Sequence, residues 1–381
     1  MGKNDLLYRK VKEDILRMID GLGPNERIPS RGALVSRYGV TRTTVDRAIS
    51  ELIGEGYLYS RDGSGTYKAA RSQPTSSPQS ARVASWGVIL PNIMHDTYPG
   101  ILRGVEDVAQ KVGVNVVICN TDNRTDKQTQ YIHKLIDSGV KGLVVIPAIK
   151  GEQDLEPFHR LRQERIPFVF CNRGIEGIEA PRVISNNFYG GYTATKHLAQ
   201  NGYRRIAFVS RPLYSASCER YQGYISALAE MSLPFDERYV VFEESFDTAK
   251  PGYYSVKRMM EMDSPPDAVF CFNDVIAEGA FEALFEKGLE PGRDVGVVGY
   301  DDTHICERLP VKLTSVKFKT YESGASAARI LLDMTSGKEI PYSHVVILQP
   351  ELVVRESSRA TASTNSTKVE GGGEKKQGNR R

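Results

Sequence analysis

Thr41, Arg42, Thr43, Thr44, Asp46 and Arg47 fall within seven consecutive residues, between the apolar Val40 and Ala48. Hydroxyl and guanidinium groups at this density suit hydrogen bonding to phosphate oxygens and to base edges. In the major groove of DNA an arginine can hold the O6 and N7 of guanine, and a threonine can meet a thymine methyl group. Bond-making chemistry has no comparable foothold. The chain has no Gly-x-x-x-x-Gly-Lys phosphate loop, no Gly-x-Ser-x-Gly elbow and no spaced His/Cys metal set. No catalytic residue, metal or cofactor is therefore expected.

The surrounding pattern says how these groups are held. Val45, Ile49, Leu52 and Ile53 recur at i, i+4, i+7 and i+8, one face of a helix. Thr41 stands where its side chain can cap the start. Arg42, Thr43, Asp46 and Arg47 then take the opposite face, free to meet a ligand or, on the plainer reading, simply solvated. After Gly54 and Gly56 the period changes to two, with Tyr57, Leu58 and Tyr59, a turn Arg61-Asp62-Gly63-Ser64-Gly65, and Thr66 and Tyr67. A glycine-rich turn between short β runs predicts a hairpin. Upstream, Tyr8, Val11, Ile15, Met18 and Ile19 stripe a helix over 5–20, and Pro29-Ser30 opens a second one. Helices feeding a hairpin make a small α+β winged helix-turn-helix, expected to bind double-stranded DNA.

Residues 71–84 are rich in Ser, Pro and Gln and read as a flexible linker. From 85 onward, apolar runs at 86–90, 114–119, 142–146, 168–171, 206–210, 240–242, 268–272 and 295–299 alternate with amphipathic stretches near 99–112, 125–138, 154–165, 190–202, 217–231, 252–262, 275–287 and 321–336. That alternation predicts parallel sheets with helices on both faces. About 275 residues suit two lobes better than one sheet. The expected division is 1–70 for the DNA-binding domain, 71–84 for the linker, 85–359 for a two-lobed α/β domain, and 360–381 for a polar, disordered tail.

Composition is that of a globular chain, 40% hydrophobic and 25% charged, with a net charge of +3. Residues 1–85 hold 14 Lys+Arg against 9 Asp+Glu, whereas 86–359 hold 31 against 36. A basic end on an acidic body suits a nucleic-acid module attached to a domain with other duties. No apolar run approaches the length of a membrane span and no signal-peptide core is seen. The Met-Gly start lacks a hydroxyl residue at position 6, where Leu6 stands, against myristoylation. Cys119, Cys171, Cys218, Cys271 and Cys306 are scattered singly, as for reduced thiols. A cytoplasmic location is expected, without membrane association.

Two resemblances follow from joined motifs. Residues 5–70 resemble the GntR-type winged helix, on Ile28-Pro29-Ser30, on Gly39-Val40-Thr41-Arg42-Thr43-Thr44-Val45, on Glu55-Gly56 and on Gly63-Ser64-Gly65-Thr66. The resemblance implies that Arg42 and Thr43 contact base edges, that Thr41 and Thr44 meet phosphates or cap the helix, and that the wing Gly63, Ser64, Gly65 and Thr66 meets the backbone or minor groove. Two departures stand out. Asp46 replaces an arginine, and can accept from cytosine N4 or neutralise Arg42 one turn earlier. Arg31-Gly32 replaces the usual Glu-Arg/Asn pair, so Arg31 joins the DNA-facing set and a relative's operator cannot be borrowed.

Residues 86–359 resemble the effector domain of LacI/GalR regulators, similar in fold to periplasmic sugar-binding proteins. The carrying motifs are Glu219-Arg220-Tyr221-Gln222-Gly223-Tyr224, Phe272-Asn273-Asp274, and Val298-Gly299-Tyr300-Asp301-Asp302. The resemblance places Arg220, Asn273 and Asp301 in a ligand cleft, Asn172 where relatives often carry Asp, and Phe246 at a stacking position. Asn92, His95 and Tyr98, after the first strand, are further cleft candidates. Plainer readings are a core Phe246, a turn role for Asp301 and a structural His95. Repressors of arabinose use join the same two modules, so arabinose is one candidate effector. The implied function is a homodimeric repressor of carbohydrate genes, released from its operator by a small sugar. Alternatives are a purine or sugar-phosphate effector, or co-repression. A transport receptor sharing the large domain is disfavoured by residues 1–70, and an aminotransferase fusion by the absence of a cofactor-lysine context.

Overall fold

A computed structural model describes residues 3–61, 64–69, 84–212, 214–243 and 249–359. Gly63, Phe246, the segment 71–83 and the tail 360–381 lie outside the described residues. The chain divides into two units, Met1–Arg82 and Val83–Arg381.

The first unit has helices α1 (Lys3–Asp20), α2 (Arg31–Tyr38) and α3 (Arg42–Gly54) and strands β1 (Leu58–Arg61) and β2 (Gly65–Lys68). Tyr8, Val11, Ile15 and Ile19 of α1 are buried together with Leu34 of α2 and Val45, Ala48, Ile49 and Leu52 of α3. Helical periodicity thus becomes a three-helix core. Ser30 caps α2 by accepting the Ala33 N–H at 3.3 Å, and Thr41 caps α3 by accepting the Thr44 N–H at 3.4 Å. Between them Gly39, at φ +61°, ends α2 in the left-handed conformation and turns the chain into α3. In the hairpin Arg61 lies opposite Gly65 and Leu58 opposite Lys68. The Ile28 N–H donates to the Thr66 carbonyl at 3.0 Å and the Lys68 N–H to that of Glu26 at 2.8 Å, so the segment before α2 lines the hairpin edge.

The second unit adds β3 (Ser85–Leu90), α4 (Thr97–Lys111), β4 (Asn115–Asn120), α5 (Thr125–Ser138), β5 (Gly142–Val145), α6 (Glu156–Gln163), β6 (Phe168–Cys171) and β7 (Arg182–Ser185). It continues through α7 (Asn187–Gln200), β8 (Ile206–Ser210), α8 (Ser215–Glu230), β9 (Val240–Phe242), α9 (Lys250–Met259), β10 (Ala268–Cys271), α10 (Asp274–Glu286), β11 (Gly296–Asp301) and α11 (Ile305–Arg308). The last elements are β12 (Thr314–Lys317), α12 (Thr320–Thr335), β13 (Val345–Leu348) and β14 (Glu351–Val353).

Two six-stranded sheets result, in the orders β13-β7-β6-β5-β3-β4 and β14-β12-β11-β10-β8-β9. All described pairings in them are parallel except β12 with β14. This is the two-lobed α/β fold that the alternating pattern implies. Alternate strand residues feed cores on opposite faces, as Val88 and Val144 do on one side and Ile89 and Val145 on the other. The chain crosses between lobes three times, after β7, after β12 and after β13. Strands β7, β12 and β14 are absent from the sequence-based reading because Arg182, Thr314, Lys317 and Glu351 interrupt their short apolar content, and the four-residue apolar run of β13 is absent from it as well.

Helix pairs cover the sheets at close range. A β-carbon on Gly252 of α9 would run into the Ile276 carbonyl of α10, and one on Gly279 into the Ala249 carbonyl. The same motif recurs in α7 and α8. Lys196 pairs with Glu230 at 2.9 Å beside Tyr192, as Lys257 of α9 pairs with Glu286 at 2.7 Å beside Tyr253.

Candidate functional site

Parallel strands deliver their C-terminal ends to one side of each sheet, and the two lobes turn those ends toward a shared cleft. From the first lobe come Asn92 and His95 after β3, Tyr98 at the start of α4, and Asn172 and Arg173 after β6. From the second come Arg211 after β8, Tyr214 and Arg220 at and within α8, Phe272 and Asn273 after β10, and Asp301 ending β11. All of these line one cavity.

Arg220 is 6% exposed and held from several sides. Its Nε donates to Asn187 Oδ1 at 3.1 Å and its Nη1 to the Phe272 carbonyl at 2.5 Å. The guanidinium lies 3.4 Å from the Tyr300 ring centroid and 4.2 Å from that of Phe272. Its Nη2 stands 3.9 Å from the Asp301 carboxylate. Asn273 caps α10, its Oδ1 accepting the Ile276 N–H at 3.1 Å. Asp301 adopts φ +101°, a conformation costly to a residue with a β-carbon. Asn172, at φ +68°, is fixed by its N–H to the Val183 carbonyl at 2.8 Å. The chain therefore maintains strained backbone at two cavity positions.

Burial pushes the Asp301 carboxyl up, against the opposing pull of Arg220. Burial likewise raises the Tyr98 hydroxyl, opposed by Arg173 and Arg211. Behind the cavity, burial and then the charge of Asp301 push the Asp274 carboxyl up to about 7. Asp274 accepts from Ser315 Oγ at 2.6 Å and from the Thr303 N–H at 2.7 Å. At the cleft mouth His304 of the second lobe meets Asp96 of the first, Nδ1 to Oδ2 at 2.7 Å.

In the first unit the polar start of α3 is a second candidate site. Arg42 is 81% exposed along its side chain. Asp46 lies 2.7 Å from Arg31 Nε and 3.8 Å from Arg42 Nε. The hydroxyls of Thr41 and Thr44 are 2.9 Å apart, and that of Thr43 lies 3.5 Å from Thr41. Ser64 is exposed, its hydroxyl 2.5 Å from that of Tyr67. Gly65 sits at φ +120° with the Arg27 side chain against it.

Two expectations for this face need correction. Thr66 is only 5% exposed and sits beside Ser60, so its side chain is turned into the hairpin rather than toward a ligand. Arg47 is not simply free, because its guanidinium lies over the Tyr8 ring at 4.4 Å and 3.9 Å from Glu51. The helix face opposite the core is wide enough to send Arg42 outward and Arg47 back along α1.

Arg173, Arg211, Tyr214 and Phe272 line the cavity although sequence reasoning did not single them out. Arg173 and Phe272 are adjacent to Asn172 and Asn273, and position just beyond a predicted strand end was the signal available. In the hairpin, Arg61 was passed over although its guanidinium lies within 5.7 Å of the Tyr59 and Tyr67 rings. Among the described residues, no group of three or more His, Cys, Asp or Glu is placed to hold a metal ion. No described helix is long and apolar enough to cross a membrane.

Comparison with known proteins adds independent evidence. Residues 7–67 match the bacterial regulatory proteins of the gntR family, and residues 195–358 match a periplasmic binding protein-like domain. An arabinose metabolism transcriptional repressor of Geobacillus stearothermophilus is 26% identical over 92% of this chain and 97% of its own. The HTH-type transcriptional repressor PurR of Actinobacillus pleuropneumoniae is 30% identical over 84% of this chain and 96% of its own. A LacI family transcriptional regulator from Enterococcus faecium, solved with bound ribose, superposes with a TM-score of 0.62 at 26% identity, covering 72% of this chain and 98% of that one.

Proposed function

Because the chain belongs to the transcriptional repressors that join a GntR-type DNA-binding domain to a LacI-type, periplasmic-binding-protein-like domain, we propose that it represses carbohydrate genes and leaves its operator when the cleft takes up a sugar. The observation that carries this reading is the cleft itself. Arg220, Asn273 and Asp301 meet Asn172 and Arg173 across two lobes, with Phe272 beside them. Sugars are bound by such converging planar donors and acceptors with an aromatic wall. Arabinose, named for the Geobacillus relative, is the first sugar to test.

Lobe closure on the sugar changes the geometry of a homodimer, and two winged helices then no longer match the spacing of a pseudo-palindromic operator. Arg42, Thr43, Thr44, Arg31 and Asp46 read that operator, with Thr41 capping the reading helix and the wing residues Ser64 and Gly65 against the backbone. The mechanism is a difference in affinity between two states, so sugar and DNA oppose one another reciprocally. The test is an operator titration at fixed salt, with and without pentoses and hexoses. The binding sugar should weaken operator affinity by about 5- to 150-fold. If every sugar that binds leaves operator affinity unchanged, release by sugar is wrong.

A further inference from the structure

Among the described residues of the cleft, Arg173 is a buried cation with no acid paired to it. This side chain is only 6% exposed. Its Nε donates to the Pro147 carbonyl at 2.6 Å, which fixes the guanidinium plane, and the group lies 5.6 Å from the Tyr214 ring centroid. Its Nη2 is buried and has no hydrogen-bond partner among the described residues. The carboxylates nearby have other partners. Asp301 faces Arg220, Asp96 meets His304, and Asp274 is satisfied by Ser315 and Thr303. The adjacent cleft residue is the neutral Asn172.

A buried cation without a counter-charge is costly, and the cost is removed when a ligand supplies the charge. A guanidinium also offers a planar fork that matches a carboxylate or phosphate with two parallel hydrogen bonds. We infer that the sugar taken up in this cleft is an anion, a sugar acid or a sugar phosphate, whose negative group is received by Arg173. The inference rests on the reading of the cleft as a sugar site and specifies the charge of the sugar. Arg220, already tied to Asn187 and Phe272, is left to orient the hydroxyls.

The test uses the full chain and matched ligand pairs at constant ionic strength: arabinose with arabinonate, galactose with galacturonate, and ribose with ribose 5-phosphate. Calorimetric titration of the unaltered protein should give at least one anionic member binding about 10- to 100-fold more tightly than its neutral parent, as a charge-assisted contact implies. The acid and phosphate pairs separate the two sources of charge. Arg173→Gln should abolish the preference, so that the anion binds no more tightly than its neutral parent in the same variant, and Arg173→Lys should restore part of it. Thermal unfolding of the ligand-free variants shows whether each is folded. If Arg173→Gln does not fold, the paired comparison on the unaltered protein and Arg173→Lys decides.

Neutral parents that bind as tightly as their anions overturn the inference and leave the sugar reading intact, as does a preference that survives in Arg173→Gln. If no member of any pair binds while a purine base does, the sugar reading itself is wrong and this inference falls with it.

Discussion

Arg31, the first residue of α2, and Asp46, in the second turn of α3, are joined through Nε and Oδ1 at 2.7 Å. The two positions at which the DNA-binding module departs from the GntR pattern are therefore partners. The same carboxylate stands 3.8 Å from Arg42. One acid thus spaces two arginines, one from each helix. Both side chains of the Arg31–Asp46 pair are more than a third exposed, so the contact adds at most about 1 kcal/mol to stability. Its effect belongs to positioning.

That arrangement makes Asp46 a determinant of operator choice. Arg42→Ala should weaken operator binding by roughly 1–3 kcal/mol. Arg31→Ala and Asp46→Ala should each shift base preference in a randomised-operator selection, and the double variant should lose less than the sum of the two, because the sites share one contact. Fluorescence anisotropy at constant salt measures this. Strictly additive losses would show that Arg31 and Asp46 act separately.

Asp274 sets a pH dependence. Its carboxyl rises from the ordinary 3.8 to about 7 in the folded chain, mainly through burial and then through the charge of Asp301. Between those values the folded protein holds a proton that the unfolded chain has released. Stability present below 3.8 is therefore lost as pH rises through about 7. Asp274→Asn should flatten that slope. Urea unfolding across this range, followed by the fluorescence of the single tryptophan, Trp86, makes the comparison. Parallel slopes in the two proteins would exclude Asp274 as the titrating group.

Gly279→Ala places a methyl group against the Ala249 carbonyl where α9 and α10 touch. Backbone cannot yield as a flexible side chain does. The substitution should cost about 1–3 kcal/mol in chemical unfolding despite the better helix propensity of alanine. A variant as stable as the parent would mean that the helices separate freely.

The contact of Asp96 with His304, Oδ2 to Nδ1 at 2.7 Å, crosses the mouth of the cleft between lobes. Asp96→Asn should weaken sugar binding by up to about fivefold, the scale of a partly exposed pair, with thermal unfolding of the ligand-free protein unchanged. Affinity equal to that of the parent would leave the pair no part in closure.

Much of this was legible in the residues. Continuous apolar runs marked the central strands, and helix periodicity located α4 to α10 and α12 to within a few residues. Strands β12 and β14 were hidden because four- and three-residue segments with Thr314, Lys317 or Glu351 carry no period to detect. In the cleft, the motifs around Arg220, Asn273 and Asp301 identified residues that the fold gathers at one cavity. Arg211, the residue after β8, shares only the strand-end position of Arg173, and Tyr214, at the start of α8, belongs to no motif. Thr66 was misjudged for another reason. Alternation in a four-residue strand does not say which side faces the core until the helices are in place.

The three crossings of the chain between lobes fix the order in which a newly made molecule gains its abilities. The core of the first unit uses residues between Tyr8 and Leu58, so it can close early in synthesis. The first lobe needs α12 and β13, which end only at Leu348. A chain still on the ribosome can therefore complete its helix-turn-helix long before it can complete a cleft. Each protomer's reading head is thus finished before the cleft to which it answers.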